Sequence, residues 1–137
     1  MEAFGKVIAR SSVYETEPRE MKDQPWFLNC AIAFQTVMPP HELLQTVLMI
    51  EQRMGRQRFV PKGPRIIDID ILLFGDYMEN SSTLTVPHPA LHRRRFVLEP
   101  LLEIAPEVSH PVLKKTVREM LDSLHRDDGA VRKLKEI

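Results

Sequence analysis

The stretch IIDIDILLF at residues 66–74 says more about the fold than any other part of the sequence. Its apolar residues alternate around two aspartates, and a period of two is typical of a β-strand. We therefore predict a strand in which Asp68 and Asp70 share one face, with their carboxylates about 6 to 7 Å apart. A Mg²⁺ ion would offset the repulsion and lost hydration of such a pair. Exposure to water, or pairing with arginines alone, is the alternative interpretation.

The segments around this stretch alternate between strand patterns and helix patterns. Pro39 and Pro40 can open a helix, and Gly55 can end it. The predicted strands are 7–16, 27–37, 66–74 and 82–86, and the predicted helices are 40–55, one or two short pieces within 96–105 limited by Pro100 and Pro106, and a peripheral amphipathic helix from Thr116. Because strands and helices interleave, the fold class is α/β or α+β.

Length and composition favour a single domain over residues 1–137. The chain has no linker-like stretch, and its 19 basic and 19 acidic residues give a formal net charge of zero. Without a global basic field, nucleic acid is not an expected partner. The lone Cys30 suits a reducing compartment. With no signal-peptide or membrane-spanning pattern, we expect a cytoplasmic protein that does not bind membranes.

Basic residues flank the two aspartates on both sides. They are Arg56, Arg58, Lys62 and Arg65 before the pair, and His88, Arg93, Arg94 and Arg95 after it. Arginine forks match phosphate oxygens, and Mg²⁺ held by few carboxylates completes its shell with phosphates and water. Carboxylates and arginines together suggest a nucleoside triphosphate, although each arginine taken alone could be a surface charge or an ion-pair partner. A Walker-type phosphate loop is absent from the sequence.

Asn29 and Phe27 share a face of the second predicted strand. An amide beside an aromatic ring could bind a planar heterocycle with amide-like edges. A core asparagine whose hydrogen bonds are all satisfied is the more common alternative. His88 lies between two prolines, where it could donate to a phosphate or cap a turn.

Five separated stretches together resemble one enzyme family. They are SSVYETEP (11–18), QPWFLNCAIAFQT (24–36), IEQRMGRQR (50–58), GPRIIDIDILLFG (63–75) and LTVPHPALHRRRFVLEPLLEIAPE (84–107). In this order they closely resemble 6-hydroxymethyl-7,8-dihydropterin pyrophosphokinase of folate biosynthesis. The resemblance covers nearly the whole chain.

The resemblance implies an α+β fold of the ferredoxin-like kind, with a mainly antiparallel sheet. It also implies transfer of the ATP pyrophosphoryl group to the pterin hydroxymethyl oxygen, with release of AMP. By the resemblance, Asp68 and Asp70 would hold two Mg²⁺ ions and act in catalysis with Arg58 and Arg65. ATP is the co-substrate, and its implied contacts are Glu51, Arg58, Arg65, Ile71, Thr85, His88 and Arg94. The implied pterin contacts are Thr16, Phe27, Asn29 and Phe96.

Some features depart from the family pattern. The chain begins after the point where members usually have a first strand, a Gly-Ser-Asn loop and a helix, so we expect a truncated sheet. Family members are expected to be monomers, yet loss of a central strand would favour self-association. Lys62 and Glu17 stand where an aromatic residue and a proline are common. Two other functions stay open: an impaired protein that binds nucleotide or pterin, and an RNA-binding module that would use the HRRR stretch at 92–95.

Overall fold

The computed structural model describes residues 4–17, 27–56, 68–124 and 131–134. The chain divides into two compact units, the first formed by residues 1–36 and 89–137 and the second by residues 37–88. Helices and antiparallel strands are mixed, which confirms the α+β class. In chain order the elements are β1 (Lys6–Arg10), β2 (Tyr14–Thr16), β3 (Phe27–Asn29), β4 (Ile32–Gln35), α1 (Pro40–Arg56), β5 (Glu79–Asn80), β6 (Thr85–Val86), a 3₁₀ turn (Leu91–Arg93), α2 (Arg95–Ile104), α3 (Val117–Asp122) and β7 (Val131–Lys133).

The first unit contains two small antiparallel sheets. Strand β1 pairs with β4, with an irregularity in register between Val7 and Ala9. Strand β2 lies between β3 and β7 and pairs with both. The central position of β2 matters for the site, because its three residues contact strands that are distant in sequence.

The two strands predicted at 7–16 and 27–37 are each divided in the structure, so those two predictions are wrong in extent. The break lies at Ser11 and Ala31, which are both buried. The Ser11 N–H donates to the Ala31 carbonyl at 2.9 Å, and the Ala31 N–H donates to Ser11 Oγ at 2.8 Å. Because the Ser11 hydroxyl replaces a backbone carbonyl as the acceptor for Ala31, the regular backbone pairing is interrupted here. The β1–β4 pairing lies on one side of this interruption and the β2–β3 pairing on the other.

The core of the first unit is formed by α2, α3 and the 3₁₀ turn. Leu91, Leu98, Pro100, Val117 and Met120 are fully buried there. Of the one or two helical pieces predicted within 96–105, a single helix, α2, forms and continues through Pro100. The prediction that Pro100 limits a helical piece is therefore wrong. The proline removes one intrahelical donor, but its ring is buried in the core, and that burial offsets the loss.

Helix α3 begins with a capping box. Thr116 Oγ1 accepts from the Glu119 N–H at 3.1 Å, and the Glu119 carboxylate accepts from the Thr116 N–H at 2.9 Å. The prediction of an amphipathic helix from Thr116 is confirmed. The prediction that this helix is peripheral is wrong, because Val117 is completely buried in the core.

The second unit consists of α1, an irregular segment and the β5–β6 hairpin. Helix α1 begins at Pro40 as predicted but passes through Gly55 to Arg56. A turn forms at Gly75, whose φ of 54° is a backbone conformation that favours glycine. Of the strand predicted at 82–86, only Thr85–Val86 forms, before Pro87. In the described part of the chain, no helix has the length and apolar character needed to cross a membrane.

The strand predicted at 66–74 is wrong for the residues that can be described. Residues 68–74 have no regular secondary structure, and 66–67 lie outside the described ranges. Backbone groups of this segment bond to partners other than a neighbouring strand: the Ile69 N–H donates to a side chain, and the Leu72 carbonyl accepts from the His88 N–H. Alternation alone does not make a strand when the paired ladder is missing.

Candidate active site

The two aspartates lie in the irregular segment that follows α1 in the second unit. Asp68 and Asp70 are exposed, whereas Ile69 between them is half-buried. The Ile69 N–H donates to Glu51 Oε2 at 2.6 Å. A charged acceptor makes this a strong hydrogen bond. Glu51 in α1 therefore holds the backbone between the two aspartates.

His88 is held to the same segment from the other side. Its backbone N–H donates to the Leu72 carbonyl at 2.9 Å. Thr85, in β6, donates to Asn80 Oδ1 at 3.5 Å across the hairpin. Ile71, Thr85 and His88 are all half-buried. Two hydrogen bonds thus connect α1, the aspartate segment and the residues after β6.

The carboxylates of Asp68 and Asp70 are the type of ligand that Mg²⁺ binds. Two exposed carboxylates supply the oxygen ligands that Mg²⁺ prefers, and Mg²⁺ commonly keeps several waters besides one or two carboxylates and substrate phosphates. In the described ranges, no three or more His, Cys, Asp or Glu side chains come together in a way that could hold a metal ion. Glu51 bonds to the backbone between the two aspartates through the Ile69 N–H.

The predicted pterin residues of β2 and β3 lie on one face of the first unit's three-stranded sheet. Thr16 is directly opposite Phe27, and Tyr14 is directly opposite Asn29. Directly opposite residues share a face, as do residues two apart in a strand. Asn29 Nδ2 donates to Thr16 Oγ1 at 2.9 Å, while the Phe27 side chain is 56% exposed. This face offers an oriented amide beside an accessible aromatic ring.

Arg94 and Phe96 contact each other at the start of α2. The Arg94 guanidinium carbon lies 5.5 Å from the centre of the Phe96 ring. This is a cation–π geometry, which stabilises by about 0.5–1 kcal/mol at exposed sites. The resemblance assigns these residues to different substrates, and their contact was not predicted.

Arg58 and Arg65, the two predicted catalytic arginines, lie outside the described residues. Their roles therefore stay predictions from the resemblance. Arg94 is exposed and immediately precedes α2. It is the predicted phosphate-binding arginine whose surroundings can be described.

A carboxylate of the first unit, Glu103, was not singled out from the sequence. Glu103 in α2 accepts hydrogen bonds from the Ser12 N–H, the Ser12 hydroxyl and the Tyr14 hydroxyl. Tyr14 and Ser12 precede Glu103 by 89 and 91 residues. No local pattern signals such a contact, because it depends on how α2 packs on β2.

In the second unit, Glu79 has a comparable cluster of donors. It accepts from Tyr77 at 2.6 Å and from Ser81 at 2.7 Å, and His41 Nε2 lies 2.8 Å from both of its oxygens. Hydrogen bonds from Tyr77 and Ser81, with a smaller contribution from His41, lower the pKa of Glu79 to about 2. The Glu79 carboxylate thus connects β5 to the start of α1.

The observed elements and side chains define an α+β protein with an exposed carboxylate pair on one unit and an amide and aromatic surface on the other. Comparison with known families makes the assignment specific. The model of the 7,8-dihydro-6-hydroxymethylpterin-pyrophosphokinase family matches residues 1–106. The chain belongs to this family, which confirms the resemblance seen in the sequence. Every predicted site residue, from Thr16 to Phe96, lies within the matched residues.

Relatives from fungi and bacteria match most of the chain. The folic acid synthesis protein fol1 of Schizosaccharomyces pombe is 46% identical over 119 residues, which is 87% of this chain but 16% of that protein. The 2-amino-4-hydroxy-6-hydroxymethyldihydropteridine pyrophosphokinases of Methylorubrum extorquens and Aquifex aeolicus are 44% and 40% identical over 119 residues, 74% of their lengths. The chain thus spans a small part of the long fungal relative and about three quarters of the two bacterial ones.

Proposed function

We propose that this chain transfers the pyrophosphoryl group of ATP to 6-hydroxymethyl-7,8-dihydropterin, giving AMP and the pterin diphosphate in folate biosynthesis. The observation that carries this proposal is the family match over residues 1–106, which includes every predicted site residue. Two bacterial relatives with 40–44% identity carry the pyrophosphokinase name. The carboxylate pair held by Glu51 supports the same reaction.

The proposed reaction needs no covalent enzyme intermediate. The pterin hydroxyl oxygen forms a bond to the β-phosphorus of ATP, the bond from that phosphorus to the α,β-bridging oxygen breaks, and the hydroxyl proton is released. AMP leaves with the bridging oxygen. Asp68 and Asp70 would hold two Mg²⁺ ions, which when bound neutralise the charge of the triphosphate. Arg58 and Arg65 would bind the phosphates from the segment between α1 and Asp68.

The remaining predicted contacts divide between the substrates. For ATP they are Glu51, Ile71, Thr85, His88 and Arg94, and for the pterin they are Thr16, Phe27, Asn29 and Phe96. The hydrogen bond from Asn29 to Thr16 supports the pterin assignment, because it fixes the plane and direction of the amide. Phe27 is accessible enough to stack on a heterocycle.

The proposal extends to architecture and location. A ferredoxin-like arrangement is supported by the mixture of helices and antiparallel strands. A single domain over residues 1–137 is supported by the lack of a linker-like stretch in the sequence. A cytoplasmic location is supported by the single cysteine, which suits a reducing compartment.

One observation favours a second candidate function, an impaired protein that binds nucleotide or pterin without turnover. Asp68 and Asp70 lie in an irregular segment, not in the strand that their alternation predicts. Carboxylates held less rigidly would bind Mg²⁺ and nucleotide yet position the β-phosphorus poorly.

The two candidates are separated by measuring AMP release from ATP and Mg²⁺, with and without 6-hydroxymethyl-7,8-dihydropterin. The enzyme should release AMP only when the pterin is present, and the pterin diphosphate should form in equal amount. Binding of both substrates without AMP would support the impaired protein. Binding of neither would contradict both.

A further inference from the structure

Glu103 connects two elements of the first unit that carry predicted pterin residues. Ser12 N–H donates to Oε1 and Oε2 of Glu103 at 3.1 and 3.0 Å, Ser12 Oγ donates to Oε2 at 3.1 Å, and Tyr14 OH donates to Oε1 at 2.8 Å. Lys133 Nζ of β7 lies 3.8 Å from Oε1. One carboxylate of α2 is thereby bonded to Tyr14 of β2 and to Ser12, two residues before that strand, and lies near β7.

The residue that Glu103 holds is the direct neighbour of Asn29. Tyr14 lies opposite Asn29 in the β2–β3 pair, and Asn29 donates to Thr16 two residues further along β2. Tyr14, Thr16, Phe27 and Asn29 therefore share one face of the sheet. A shift of β2 relative to α2 would move this whole face.

The other predicted aromatic contact, Phe96, lies in the first turn of α2, which also carries Glu103. Leu98, Pro100 and Leu101 of this helix are buried in the core. Because helix and sheet are each internally bonded, their relative position depends on the side chains that join them. The hydrogen bonds of Glu103 join α2 directly to Ser12 and Tyr14.

Electrostatics favour the charged form of Glu103. The hydrogen bond from Tyr14 lowers the pKa of Glu103, assisted by the Ser12 donors and Lys133. Burial raises the pKa of Tyr14 to about 12, and the Glu103 hydrogen bond adds to this shift. A carboxylate with a protonated phenol is the stable combination at neutral pH, and hydrogen bonds to a charged group are stronger than neutral ones.

We infer that Glu103 is a positioning residue, which sets the distance between the Phe96 end of α2 and the Phe27–Asn29 face and so tunes affinity for the pterin and not for ATP. This inference rests on the proposed function for the identity of the ligand. It assigns a role to a residue that is not among the predicted contacts of either substrate. It also gives Tyr14 a role as the connecting group between Glu103 and Asn29.

Three variants of the full chain test the inference. Glu103→Gln keeps the shape but loses the charge and half of the acceptor capacity, and Tyr14→Phe removes one donor while keeping the ring. Glu107→Gln is the matched control, since Glu107 is exposed and lies 3.5 Å from Arg118 on the surface. Calorimetry would measure the affinity for 6-hydroxymethyl-7,8-dihydropterin and, separately, for a non-hydrolysable ATP analogue with Mg²⁺.

We expect Glu103→Gln to weaken pterin binding about tenfold, corresponding to the loss of a charge-assisted hydrogen bond. Tyr14→Phe should weaken it less, and Glu107→Gln should match the unaltered protein. Affinity for the ATP analogue should stay the same in all three. In steady-state kinetics the pterin KM should rise while kcat and the ATP KM are kept. Equal losses for both ligands, or an unchanged pterin affinity, would overturn the inference.

A second readout separates this inference from the proposed function. Hydrogen exchange of the Thr16 and Asn29 amides should accelerate in Glu103→Gln, whereas exchange in the β1–β4 pair should not change. If the unaltered protein binds no pterin, the proposed function fails, and the exchange pattern still decides whether Glu103 positions this face. Unchanged exchange at Thr16 and Asn29 would overturn the positioning role by itself.

Discussion

Asp68 and Asp70 stand out from their segment because both are exposed, whereas Ile69 between them and the residues at 71–74 after them are half-buried. The apolar neighbours of the pair are partly buried within the second unit. The Glu51 carboxylate accepts a hydrogen bond from the N–H of Ile69, which lies between the two aspartates. The pair is therefore presented to solvent by a backbone that is fixed between the two side chains. Two neighbouring exposed carboxylates are suitable ligands for a hard cation.

Removal of one member of the pair should abolish the reaction. We expect Asp70→Ala to lower AMP formation by at least about a thousandfold, since a metal ligand would be lost where charge is neutralised. Calorimetric titration of Mn²⁺ in the presence of a non-hydrolysable ATP analogue should show weakened binding. Asp76→Ala is the control, because Asp76 is an exposed aspartate in the following turn. Near-normal turnover of Asp70→Ala in saturating Mg²⁺ would contradict the assignment.

Asn29 permits a test of the pterin assignment. Asn29→Ala should weaken pterin binding about tenfold or more, because an oriented amide that pairs with the ligand would be lost. Binding of the ATP analogue should change by less than about twofold, since the predicted nucleotide residues lie elsewhere in the chain. Gln35→Ala, an exposed amide in β4, serves as control. Equal losses for both ligands in Asn29→Ala would argue against a pterin-reading role.

The residue types of the site could be predicted from the sequence, but the residues that hold them in place could not. Asp68 and Asp70 could be recognised as candidate site residues because charged carboxylates within an apolar stretch are costly unless a ligand or partner compensates them. Glu103 gives no such signal, since a glutamate in a short helix is ordinary and its partners are about 90 residues away. Long-range hydrogen bonds depend on packing that no local pattern contains.

At the scale of elements, helices were easier to predict than strands. The helix patterns at α1 and α3 are confirmed because the hydrogen bonds of a helix are local to its own sequence. Strands need a partner, and the alternation at 66–74 carries no information about one. Pro100 shows the reverse error, since burial of its ring in the core outweighs its tendency to end a helix.

The loop between α2 and α3 contains a buried histidine that links its conformation to pH. His110 Nδ1 accepts from the N–H groups of Val112 and Leu113 at 3.2 and 3.1 Å. Burial, with a smaller charge effect from His92, lowers the pKa of His110 below its usual 6.5. The folded state therefore prefers the neutral ring, and a proton on Nδ1 would remove both hydrogen bonds.

Stability should accordingly fall on the acid side of neutrality. Since the unfolded chain takes up the proton first, the contribution of His110 is complete above about pH 6.5 and is lost as pH falls towards the lowered pKa. Urea unfolding at a series of pH values between about 8 and 5 would measure the slope near the His pKa. His110→Gln should be less stable at high pH by about 1–3 kcal/mol and should show a shallower slope. Identical slopes in both proteins would contradict the prediction.

On the scale of the whole molecule, the β1–β4 pair leaves apolar side chains in contact with water. Ile8 is 60% exposed and Ile32 is 47% exposed, and within the described residues each of these two strands pairs with the other alone. Exposed apolar residues on a strand with free backbone groups are a common route to association between copies. The expectation of self-association from the sequence thus has a physical basis in this pair.

We expect the average mass in static light scattering to rise above that of a monomer as the concentration increases. Ile8→Lys should reduce this rise, because charge on a strand with an open edge opposes pairing with a second copy. Val37→Lys is the matched control, since Val37 is equally apolar and fully exposed but lies outside the strands. A monodisperse monomer at high concentration, before any substitution, would show that the pair does not associate.

Strand β7 supplies β2 with its second neighbour and lies beyond residue 106, where the family match ends. The Leu134 N–H extends this pairing with a hydrogen bond to the Val13 carbonyl at 2.9 Å. Reporter fusions or affinity tags should therefore be attached after residue 134 through a linker, because shortening the chain before Val131 would remove the outer strand beside Tyr14 and Thr16. A minimal fragment cut at the family boundary would be a poor choice for crystallisation or inhibitor screening.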